Sequence, residues 1–141
     1  MGRYKTTIDS IAARLAPMAA LGLKVLNTPN AERLPQAKAQ CLVFYAGKSL
    51  DPPEGARAPM MQRETLRIAI NLEMADLRSH EGAYEYLEEI GDRLKGFAPE
   101  GEAGALYQVS EDYVALDDGV WLYSLIFALP GLSGRAKRRY F

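Results

Sequence analysis

The 141 residues contain one cysteine, one histidine and one tryptophan. A lone cysteine, Cys41, excludes an intrachain disulfide. Its place at the head of the apolar run CLVFYAG assigns it the part of a small buried hydrophobe rather than a reactive thiol. Folding in the cytoplasm agrees with this without being required by it. A lone histidine, His80, leaves no Cys or His cluster at metal-ligand spacing and argues against a zinc site. Beside a helix start it reads as a surface or capping residue. The nucleophile elbow, the P-loop and the dinucleotide fingerprint are missing as well. No apolar run approaches the roughly 20 residues that span a bilayer. The opening MGRYKTTIDS lacks the apolar centre of a signal peptide, and its Gly2 and Thr6 match a myristoylation pattern only formally. Net charge is −1, so no global field draws the chain to nucleic acid.

What is present is an ordinary globular composition, 48% hydrophobic and 25% charged, at a length that fits one domain. The organising segment is 63–76. Leu66, Ile68, Ile70, Leu72 and Met74 alternate with Thr65, Arg67, Asn71 and Glu73, so the spacing predicts a long β-strand with one buried face.

Before it, Ile8, Ile11 and Leu15 mark a helix over 6–16, with Thr6 and Asp9 at capping-box spacing and Pro17 as the stop. A short turn over 18–21, closed by Gly22, and a short strand over 23–27 follow. Segment 30–40 reads as mostly loop, broken by Pro35, and 41–46 as a β-prone strand. Segment 47–62 holds Pro52, Pro53, Gly55 and Pro59 and reads as a long arm, the tip of a wide β-hairpin.

After it, Ser79 is the expected N-cap of a helix over 80–95, with Tyr84, Leu87, Ile90, Gly91 and Leu94 inward and Gly96 as the terminator. The acidic remainder of that helix reads as a solvated face. A strand over 105–116, with a bulge near 110–112, leads through the hairpin signal Asp117-Asp118-Gly119 to a return strand over 120–129. That strand is apolar on both faces, which predicts a central position or a second face against another subunit. Pro130-Gly131 should end it, leaving 131–141 as a basic tail. The sum is an α+β fold: four or five mostly antiparallel strands with two or more helices packed on a face.

The order of these pieces resembles the tail terminator (tail completion) proteins of long-tailed phages, such as the lambda tail protein U-like and Mu-like prophage proteins. The resemblance is carried by Ile8, Ile11, Arg14 and Leu15 in the first helix, and by Val43 to Gly47 entering the Pro-rich arm. It continues through Arg63 to Leu72, Tyr84 to Gly96 and Val120 to Phe127. It implies a non-enzymatic virion protein without cofactor or metal, assembled in the host cytoplasm. Such a protein would form a six-membered ring on the head-proximal end of the tail tube. Its partners would be copies of itself, the tail tube protein and a head connector or head completion protein. Neither a membrane nor specific nucleic-acid binding is expected.

On that view the interface candidates are Arg57, Met60 and Met61 in the arm, Trp121, Tyr123 and Phe127 on the last strand, and Arg135, Lys137, Arg138 and Arg139 in the tail. A basic tail would solubilise, or dock on the acidic helix of a neighbouring subunit. The rivals are another head–tail joining or tail-tube component, a small-molecule-binding regulatory α+β domain, and an enzyme using the acidic groups.

Overall fold

The computed structural model describes residues 2–27, 38–52, 61–75, 77 and 79–134. Helix α1 (Arg3–Leu15) runs into a 3-10 segment (Ala16–Leu21) and strand β1 (Leu23–Leu26). Strands β2 (Ala39–Leu50) and β3 (Met61–Ala75) precede helix α2 (Glu81–Leu94), and β4 (Tyr107–Asp117) and β5 (Val120–Gly134) close the chain. The five strands form one sheet in the order β1-β2-β3-β5-β4. Only the β1–β2 pair is parallel. The α+β expectation, mostly antiparallel, is met.

The alternation in β3 sets the layers. Leu66, Ile68, Ile70, Leu72 and Met74 are all buried, under Ile11 and Leu15 of α1 and Ala83, Leu87, Ile90 and Leu94 of α2. Burying an aliphatic side chain is worth about 1.5–3 kcal/mol, so this one row supplies on the order of 10 kcal/mol of gross stabilisation. The opposite sheet face carries Phe44, Leu122, Ser124 and Ile126 at intermediate exposure, with no helix among the described residues packed over it. Position β5 is central, as its two apolar faces require; the face with Tyr123, Leu125, Phe127 and Leu129 is buried, while on the other Ala128 is buried and Leu122, Ser124 and Ile126 are at intermediate exposure.

Several boundaries differ from expectation. Helix α1 begins at Arg3, with Gly2 at the N-cap, so Thr6 lies inside the helix and caps nothing. Asp9 instead accepts from Lys5 and Asn27. In α2, Ser79 does accept a bond from the Glu81 amide, although the cap position falls at His80. Tyr84 is about half exposed, not inward; Tyr86 turns in instead and donates its hydroxyl to the Leu21 carbonyl at 2.6 Å. Gly96 ends the helix with φ +83°, a left-handed value that favours glycine.

The expected arm is shorter than 47–62. Strand β2 continues to Leu50 past a bulge at Ala46, and β3 starts at Met61, pairing Leu50 with Glu64. The wide hairpin is therefore correct, while its Pro-rich tip, 53–60, lies outside the described residues. So does the helical turn considered for 31–34. Strand β5 likewise runs through Pro130 and Gly131 to Gly134, which pairs with Met61. Pro130 is tolerated because β4 pairs with β5 only as far as Ala128. From there the strand has one neighbour, and a missing donor interrupts no second ladder. The hairpin turn is as predicted, with Asp118 at φ +52° and Gly119 at +80°, the two positive values of a type I′ turn. Bulges fall at Val109 and Val114 rather than at 110–112.

Candidate interaction surfaces

Two groups of side chains are assembled by tertiary contacts. The first is an aromatic patch where the β4–β5 hairpin meets the start of α2. Tyr113 and Tyr123 are cross-strand partners, and their rings lie 5.7 Å apart. His80 stands edge-on to Tyr113 at 4.8 Å and to Trp121 at 5.0 Å, an arrangement favoured by the ring quadrupoles. His80 Nδ1 and the Tyr123 hydroxyl share a hydrogen bond at 2.9 Å. Burial, then the neighbouring Tyr113 and Tyr84, push the Tyr123 hydroxyl's pKa up, so it stays neutral. Tyr84, one turn after His80, borders the patch, and like Tyr113 it is about half exposed. The patch has a buried polar floor and an aromatic rim open to solvent.

The second group is a charge clamp at the opposite end of the sheet, where the hairpin of β2 and β3 leaves it. Glu64 shares the parity of Leu66, so it points inward, and its side chain is fully buried. Arg3 donates to Glu64 and, through Nε at 2.8 Å, to Glu102. Lys48 Nζ stands 3.6 Å from Glu64 and over the ring of Tyr4. Glu102 first, with Glu64, raises the pKa of Arg3 above its already high ordinary value. This clamp ties the start of α1 to β3 and to the loop after α2.

Of the side chains expected at an interface, Trp121 is half-buried at the patch. Phe127 is fully buried and Tyr123 nearly so. Both belong to the core of the single chain, because their parity on β5 turns them toward the helices. Met61 opens β3. Arg57, Met60, Arg135, Lys137, Arg138 and Arg139 lie outside the described residues. His80, expected as a bland capping residue, is instead the hub of the patch. The available signal was the His80–Tyr84 spacing together with aromatic residues on both sides of a D-G turn.

Edge strand β4 adds exposed Tyr107, Val109, Val114 and Leu116. Among the described residues no three His, Cys, Asp or Glu side chains gather as a metal site, and no helix is long and apolar enough to cross a membrane.

Among the described residues the chain is a two-layer α+β fold with no helix over the second sheet face, an exposed edge strand and an aromatic rim open to solvent, the kind of apolar exposure that marks contact surfaces in general. The chain belongs to the Gp37 protein family, whose model matches residues 11–133. No curated protein sequence matches it. Its fold is similar to that of a chain in the virion of a native gene transfer agent particle, with a TM-score of 0.59 at 12% identity. The match covers 92% of this chain and 96% of that one.

Proposed function

We propose that this Gp37-family protein is a structural component of a phage or phage-like virion that acts by contact rather than by chemistry. More finely, it would form a ring, six-membered as in the tail terminators that the sequence resembles. The ring would close the head-proximal end of a tail tube and present the surface that joins the head. The observation that carries this reading is the end-to-end likeness, in both directions, to a chain of a gene transfer agent virion. The surfaces support it. A ring needs two different patches on each copy that fit each other, and among the described residues the sheet face with Leu122 and Ile126, the β4 edge and the aromatic patch are distinct ones.

The test is solution mass by light scattering, alone and with a phage tail tube protein. A discrete ring, or a monomer that becomes one only on the tube, supports the proposal. A stable dimer indifferent to tube protein overturns it and favours a regulatory domain.

A further inference from the structure

Charge is segregated along this chain. Residues 79–134 carry eleven carboxylates against only Arg93 and Lys95, although the whole chain has a net charge of −1. The final seven residues, RAKRRYF, carry four cations and two aromatics. Five of these carboxylates lie around the aromatic patch. Glu81 neighbours His80, Glu88 lies one turn beyond Tyr84 on the same face of α2, and Glu111 shares the face of β4 that holds Tyr113. Asp117 and Asp118 close the hairpin just before Trp121.

We infer that this acid-rimmed aromatic patch is the docking site for the C-terminal segment 135–141 of a second copy of the chain. Guanidinium groups stack on Tyr and Trp faces while pairing with carboxylates, so an Arg-rich segment ending in Tyr140 and Phe141 fits the rim chemically. Geometry makes the contact intermolecular. The segment leaves β5 after Gly134, which pairs with Met61, whereas Trp121 pairs with Met74 at the other end of the sheet. Thirteen strand residues separate these ends by roughly 43 Å at about 3.3 Å each. Seven fully extended residues reach at most about 25 Å. A chain therefore cannot cover its own patch, and the tail of one copy must reach the patch of the next. Such a contact is head-to-tail, the kind that closes rings. The inference thus deepens the proposed ring by naming one of its joints.

Trp121 is the sole tryptophan, so the patch reports on itself. The experiment titrates a synthetic RAKRRYF peptide onto the chain lacking residues 135–141 and follows Trp121 emission and peptide anisotropy. The expected result is saturable binding that shifts Trp121 emission. It should weaken about tenfold or more between about 50 and about 300 mM salt, as a contact dominated by exposed charges must. Tyr113→Ala should abolish it. Glu88→Lys with Glu111→Lys, both exposed and outside the core, should do the same without unfolding the chain. Absence of binding, or equal binding by tetralysine without a Trp121 response, overturns the inference. So does capture of the peptide by tail tube protein in place of this chain. Failure of the ring is a separate result: peptide binding in trans by a chain that never assembles on a tube would keep this site and remove the proposed function. A ring formed as well by the tail-less chain, with no peptide binding, would do the reverse.

Discussion

Replacing Arg3 with alanine tests the charge clamp most directly. Arg3 is the donor to a fully buried carboxylate, Glu64, and to a nearly buried one, Glu102. Removing one member of a buried ion pair costs about 3–5 kcal/mol, because an uncompensated charge is left in a poor solvent for it. Two features lower that figure here. Arg3 itself is 30% exposed, and Lys48 still stands 3.6 Å from Glu64. The expected loss is about 2–3 kcal/mol, which for a domain of this size lowers Tm by roughly 6–10 °C. Denaturant and thermal unfolding followed by circular dichroism measure it. The cause is isolated by Arg3→Ala with Glu64→Gln. Neutralising the stranded carboxylate should recover at least about 1 kcal/mol relative to Arg3→Ala alone, since neutral partners carry a smaller desolvation cost. A loss below about 0.5 kcal/mol for the single variant, or strictly additive losses in the pair, would refute the account. The clamp would then be a surface salt bridge in all but burial.

Thr7 is fully buried on α1 and its hydroxyl has no hydrogen-bond partner among the described residues. Thr7→Val should therefore be neutral or stabilising by up to about 1 kcal/mol, where a buried satisfied hydroxyl would have cost stability; a measured loss would show that the hydroxyl is bonded. Burial pushes the Cys41 thiol from about 9 up to about 12. The folded chain should thus resist a thiol-specific chromogenic disulfide at pH 8 and react fully once unfolded, and rapid native labelling would contradict the burial. The same raised value has a stability consequence of definite sign. Unfolded chains lose the thiol proton first, so stability should fall by about 1.4 kcal/mol per pH unit above about pH 9, and be untouched by this group below it. Gly119 sits at φ +80° in the hairpin turn, so Gly119→Ala should cost about 1 kcal/mol in unfolding experiments while Gly2→Ala, at an extended N-cap, costs little.

Local patterns in the chain determined most of the elements. A two-residue period from Leu66 to Met74 has one solution, a strand with a buried face, because slipping it by one residue exposes every apolar side chain. Asp118-Gly119 supplied the positive φ values of a tight hairpin, and Gly96 the left-handed stop of α2. The family resemblance lay in the order of these same local pieces.

Tertiary structure alone decided the rest. Pro130 looked like a terminator because a proline breaks a ladder; the strand continues since β4 ends its pairing at Ala128, and strand neighbours are not written in local sequence. Strand parity turns Glu64 inward, but it can stay buried as a carboxylate because Arg3, 61 residues away, meets it there. Tyr84 turns out and Tyr86 turns in because the Leu21 carbonyl accepts the Tyr86 hydroxyl. The aromatic patch joins α2 to two strands more than 30 residues on. A sequence fixes which side chains share a face of one element. Which faces meet depends on packing between elements, and that is where this protein's two charged and aromatic assemblies come from.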